Sequence, residues 1–202
     1  MDATRPERSP ARQLDHSSQK LLTISTSAYT QAMTQKLRYQ VTQVLDGFEL
    51  RDYEPFVSVE IESAGDWLTA GNRAFQPLVG FISGQNQETK KYAMTAPVLQ
   101  TDAAPGRHTV SFVLPVRPDE PVPEAIDSRL SVIRHDGGAY AAISFRGRWS
   151  ETLFDEQREL LQAKLKAAGI KTTGPALTAR YDPPWKPGFA RSNEILIPVA
   201  LQ

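Results

Sequence analysis

One order of elements occurs twice in this chain: a strand, a helix, a glycine that ends it, and another strand. Gly84 and Gly169 are the two helix ends, 85 residues apart, and Val57-Ser58-Val59 before the first helix corresponds to Ala141-Ala142-Ile143 before the second. The doubling is one of pattern rather than of residue identity. It predicts a pseudo-twofold α+β domain, a curved and mostly antiparallel sheet with two helices packed on it.

Each element has a local cause. Residues 39–45 and 48–53 flank Asp46-Gly47, a dipeptide that type I′ turns favour because both central positions need positive φ, so a hairpin is expected. Val57, Val59 and Ile61 alternate with Ser58, Glu60 and Glu62, the period of a half-buried strand. Asp66 is placed to cap a helix in which Trp67, Gly71, Ala74, Phe75, Leu78 and Ile82 recur at helical spacing, with Pro77 inside it. Strands are expected at 92–100, 108–114, 129–134 and 139–146, with a Pro-rich loop at 115–123 and a turn at His135-Asp136-Gly137-Gly138. Ser150 heads a second helix whose Leu153, Phe154, Leu160, Leu161, Leu165 and Ala168 form one stripe, and the last strands fall near 176–182 and 194–200.

Residues 1–37 break this pattern. Ser and Thr are frequent, Tyr29 is the lone aromatic and no hydrophobic period persists, so they read as a disordered tail before a folded domain over 38–202. Met33 is a candidate start of translation.

Composition then narrows the chemistry. The 23 Lys and Arg cancel the 23 Asp and Glu, leaving no overall field to draw nucleic acid or an anionic membrane. The lack of cysteine removes disulfides, thiolate metal sites and cysteine nucleophiles. No window approaches ~18 apolar residues, and no hydrophobic stretch follows the N-terminal arginines, which points to the cytoplasm; a monomer is the default. His16, His108 and His135 lack metal-ligand spacing, and the nucleotide, zinc-protease and serine-elbow motifs are missing. No catalytic group and no metal ligand can be selected from these residues.

Two segments stand apart. One runs from Lys90 to Val98 around a central Met94. The other, Tyr181-Asp182-Pro183-Pro184-Trp185-Lys186-Pro187, is a stiff loop that sets a tryptophan beside a cation. Such a pair suits a flat apolar ligand with an acid group; the alternative is a core tryptophan beside a solvated lysine.

Leu50-Arg51-Asp52-Tyr53-Glu54, the helix end Phe81-Ile82-Ser83-Gly84-Gln85-Asn86, Met94-Thr95-Ala96-Pro97-Val98, Phe112-Val113-Leu114-Pro115, Tyr181-Asp182-Pro183-Pro184 and Arg191-Ser192-Asn193-Glu194 follow one another at telling spacings. In that order they resemble the SOUL/p22 haem-binding protein family over about 39–199. The fold this implies is a distorted β-barrel with two helices and an internal repeat, similar also to small-molecule effector domains of the GyrI/Rob type. The function it implies is reversible, non-covalent binding of haem or a metal-free porphyrin, for buffering or transport rather than catalysis, so no enzyme is expected. The alternative is an effector-type module for another flat amphipathic molecule.

The resemblance also implies a pocket between the first helix and the loop before the last strand. Phe75, Leu78 and Val79 would form one wall, with Tyr181, Trp185 and Lys186 opposite. Arg73 and Lys186 would pair with propionates, and Met94 of the Met-Thr-Ala-Pro motif would add a contact. Where some relatives carry an iron-ligating histidine after the Leu-Arg-x-Tyr motif, this chain has Glu54. No strong axial ligand is therefore implied, and haem and metal-free porphyrin should bind about alike.

Overall fold

The computed structural model describes residues 36–200, so residues 1–35 of the tail expected over 1–37, and the start at Met33, lie outside the described residues. Strand β1 (Tyr39–Leu45) turns through Asp46-Gly47 into β2 (Phe48–Tyr53), and β3 (Phe56–Ala64) leads into helix α1 (Trp67–Ile82). After β4 (Val98–Ala104), β5 (Arg107–Val113), β6 (Leu130–His135) and β7 (Gly138–Arg146) comes helix α2 (Glu151–Ala167). Then β8 (Leu177–Arg180), a 3₁₀ turn (Gly188–Ala190) and β9 (Ser192–Pro198) follow.

The strands pair antiparallel in the order β1-β2-β7-β9-β8-β4-β5-β3-β6. Read outward from the centre, β8-β9-β7-β2 mirrors β4-β5-β3-β6, so the doubled order of the sequence is a pseudo-twofold of the sheet, with β1 as an addition. Strands β2 and β6 are exchanged: each precedes its own repeat in the chain but pairs with the other.

That exchange forces the sheet to curl. Strands β2 and β3 lie six places apart in the order, about 29 Å across a flat sheet at ~4.8 Å per strand. Yet only Glu54-Pro55 joins them, and three Cα steps span at most about 11 Å. The sheet must close on itself, and it forms a curled half-barrel. The turn between β6 and β7 packs on that same link. Gly137 has φ +77°, and a side chain there would run into the backbone of Tyr53, Glu54 and Pro55.

Both helices lie on one side of the sheet. Helix α1 buries Leu78 and Phe81 against Val57, Val59, Ile61, Val110 and Phe112. Helix α2 buries Phe154, Leu161 and Leu165 against Ala141, Ile143, Ile195 and Ile197. The expected caps form: an Asp66 carboxylate oxygen accepts the Thr69 N–H at 2.9 Å, and Ser150 Oγ accepts that of Leu153 at 3.4 Å. Gly84 and Gly169 follow the two helix ends with φ of +106° and +69°.

Two boundaries differ from the sequence reading. The strand expected from residue 92 begins at Val98, because Pro97 has no N–H for the ladder. Residues before it pair elsewhere: the Tyr92 N–H donates to Ile82 O at 2.8 Å, and Ala96 O accepts from Leu37 N–H at 3.1 Å. Lys36 and Leu37, assigned to the tail, thus join the fold beside Ala96.

Candidate functional site

On the helix-free side, alternate residues of the strands make a second surface. Tyr53, Phe56, Leu99, Val113, Ala142, Ala179 and Leu196 meet there, and the half-buried Leu37 packs on them. Curling is what lets β2 and β3 contribute to one cluster. The same alternation puts Arg51, Ser144, Tyr181 and Glu194 on this face, toward the β1 edge.

These four residues form a closed network. Glu194 Oε1 accepts from Arg51 Nη2 at 2.9 Å and from Ser144 Oγ at 2.6 Å. Its Oε2 accepts from Arg51 Nη1 at 2.9 Å and from the Tyr181 hydroxyl at 2.6 Å. The paired contact is the bidentate fork that a guanidinium makes with a carboxylate. Arg51 also donates to the Tyr53 hydroxyl at 3.1 Å and to Glu49 at 2.7 Å, and its guanidinium lies 4.2 Å from the Tyr39 ring centre. Burial pushes the Glu194 pKa upward, but the donors, Arg51 first, outweigh it and hold the carboxylate below its usual range. Burial likewise opposes charge on Arg51, and the bonds to Glu194 more than restore it. Burial and the neighbouring carboxylate push the Tyr181 hydroxyl well up, so it stays a donor.

Beside this network lies a cavity of about 460 Å³, lined by Lys36, Tyr39, Ser144, Arg146, Tyr181 and Glu194 among others. Both stems of the Tyr181–Arg191 loop border it, through Asp182 and Ser192. On the other side of the Lys36–Arg38 segment is a second cavity of about 360 Å³, walled by Pro55, Val113 and Pro115.

The loop itself is held firmly. Asp182 accepts from Lys186 Nζ at 2.7 Å and from the Ser192 N–H at 2.6 Å. Arg191 donates to the Lys186 carbonyl at 2.9 Å and to that of Pro184. Its guanidinium lies 4.3 Å from the Trp149 ring centre, and Arg180 lies 5.2 Å from Trp149 and 5.1 Å from Trp67. This ladder of cations and rings ties both stems to helix α1. Arg180 is buried there without a carboxylate partner among the described residues, and burial lowers its pKa to about 10. At the tip, Trp185 and Phe189 are 84% and 82% exposed.

Only part of the expected site comes together. Of the residues assigned to it, Tyr181 lines the cavity and Trp185 stands at the loop tip. Leu78 is wholly buried under α1, Val79 packs on the same core, and Phe75 meets Phe112 edge-on at 5.5 Å. That wall belongs to the opposite side of the sheet from Tyr181, because α1's apolar stripe is used against β3 and β5. Arg73 is exposed and donates to Ala64 O at 3.2 Å, Lys186 is bound to Asp182, and Met94 is exposed and lines neither cavity. Arg51, Tyr53 and Glu194 were legible in the motifs but had no role from sequence alone, since their pairing spans 143 residues.

A Ser58–Glu60–His135 cluster is a crosslink between β3 and β6. Ser58 Oγ is 2.6 Å from Glu60 Oε1 and 2.8 Å from His135 Nε2, and Glu60 approaches that same nitrogen at 3.1 Å. A nucleophile relay holds hydroxyl and acid at opposite ring nitrogens, and Ser58 is fully buried. Among the described residues no group of three potential metal ligands exists, and no helix is long and apolar enough to cross a membrane.

The sequence model of one family, SOUL heme-binding protein, matches residues 34–198. No curated protein compared with the chain matches it. Among solved structures, the C-terminal domain of EcmrR is similar with a TM-score of 0.61 at 10% identity, over 81% of this chain and 99% of that one. EcmrR in its complex with DNA gives 0.58 at 11% identity, over 92% of this chain and 65% of that one. A conserved protein from Listeria innocua gives 0.52 at 14% identity, over 87% and 98%. At such identities the likeness is one of fold.

Proposed function

Since the chain belongs to the SOUL heme-binding protein family, we propose that it binds a tetrapyrrole reversibly and without covalent attachment, in the helix-free groove beside the Tyr181–Arg191 loop. The observation that carries this reading is the cavity of about 460 Å³ between β1 and the loop stems, within the ~300–1,000 Å³ of small-molecule sites. Tyr39 and Tyr181 offer ring faces to a flat ligand, and Lys36 and Arg146 offer charge to its acid groups. Trp185 and Phe189 add apolar surface on a loop already ordered by its own hydrogen bonds, so little entropy is lost on binding. Each Å² of apolar surface covered contributes ~25 cal/mol. Haem would supply iron to such a complex, while the protein's residues bind and orient the macrocycle.

Strong iron ligands are scarce at this face among the described residues. His135 Nε2 is engaged by Ser58 and Glu60, and His108 Nδ1 by Asp102 at 2.9 Å. Burial raises the pKa of the Tyr39 hydroxyl, which disfavours the phenolate that iron prefers. Recognition therefore rests on the ring and its carboxylates. Titration of the full chain with haem and with protoporphyrin IX should give saturable 1:1 binding with affinities within about tenfold of each other. A protein that binds haem with a six-coordinate spectrum and ignores protoporphyrin IX would overturn this reading.

A further inference from the structure

The charges around the cavity are not balanced in their availability. Glu194 is the carboxylate at its floor, and a carboxylate offers about four acceptor positions. All are taken: two by the Arg51 fork, one by Ser144 and one by Tyr181. The second acid at the cavity, Asp182, is bound by Lys186 and by the Ser192 N–H. The cations differ. Lys36 and Arg146 are exposed, and neither has a carboxylate or hydrogen-bond partner among the described residues; Lys36 Nζ rests 5.8 Å from the Tyr181 ring centre. Arg146 shares its face of β7 with Ser144, which aims it at the same space.

We propose that this cavity is selective for acids: it takes the carboxylate of a flat amphipathic ligand at Lys36 and Arg146 and rejects lipophilic cations. The inference rests on the groove being the ligand site. A cation entering the cavity would meet Asp182 already neutralised by Lys186, and capturing Glu194 would require breaking a buried fork and leaving Arg51 unpaired. An acid meets two cations that no carboxylate among the described residues engages, and its bonds to them are charge-assisted.

Pyrene probes of matched size test this by fluorescence on the full chain: pyrenebutyrate, pyrenebutanol and a pyrene-linked trimethylammonium. The acid should bind about tenfold tighter than the alcohol, the cation weakest, and the acid's advantage should shrink as salt rises. Arg146→Gln and Lys36→Gln should each cut that advantage. A cation that binds as tightly as the acid, or an advantage that survives both substitutions, would overturn the proposal while leaving the groove as the site. Failure of all three probes to bind would remove the site itself, and the proposal with it.

Discussion

Arg51 and Glu194 decide the character of the site, because they are opposite charges buried side by side with every acceptor position used. Removing one partner strands the other, so Glu194→Gln should cost about 3–5 kcal/mol in urea denaturation. The pair also fixes a pH dependence. The folded-state pKa of Glu194 lies below its ordinary 4.5, so its stabilisation is fully present above that value and is lost as pH falls through it. Stability should hold level from neutral to about pH 5, then drop, with a shallower drop in Glu194→Gln. Gly137 is the second decisive residue, since φ of +77° and backbone contact with the β2–β3 link both exclude a side chain. Gly137→Ala should destabilise by more than about 1 kcal/mol, visible as a lowered Tm. At this scale the sequence was legible where chemistry is local. Asp66, Ser150, Gly84 and Gly169 do what their types suggest, and Asp46-Gly47 makes the expected hairpin turn, although Gly47 alone takes the positive φ that a type I′ turn needs at both positions. The Arg51 fork was not legible, because strand alternation tells which face a residue takes and not which distant strand will lie beside it.

The two helices and the Tyr181–Arg191 loop are elements with separate tasks. Helix periodicity identified the buried stripes only in part: Leu78, Phe154, Leu161 and Leu165 are buried as expected, whereas Phe75, Leu160 and Ala168 are exposed, and Val79 packs half-buried on the α1 core. A stripe of apolar residues carries no mark that separates packing from recognition. The loop was legible through its prolines and Trp185, while the ladder Trp67–Arg180–Trp149–Arg191 that anchors it joins three separate segments. Substitutions should separate the two kinds of element. Leu161→Ala, wholly buried on α2, should cost about 2–5 kcal/mol, whereas Trp185→Ala should change stability by no more than about 0.5 kcal/mol. In tetrapyrrole titrations the order reverses: Trp185→Ala should weaken binding and Leu161→Ala, below its Tm, should not.

For the whole molecule, the pseudo-twofold explains why there is a groove at all. Exchange of β2 and β6 with a two-residue link curls the sheet, both helices cover one side, and the other side is left to Leu37, Tyr39, Tyr53, Tyr181 and the Arg51–Glu194 pair. The doubled sequence order predicted the curl and the helices, but the swap that causes the curl is a matter of pairing and was hidden. The groove as ligand site is the central claim, and hydrogen exchange of the full chain with and without protoporphyrin IX tests it most directly. The account predicts slowed exchange in peptides spanning Tyr39, Ser144 and Tyr181–Ser192, with Arg73–Val79 unchanged. Protection confined to helix α1 would contradict it.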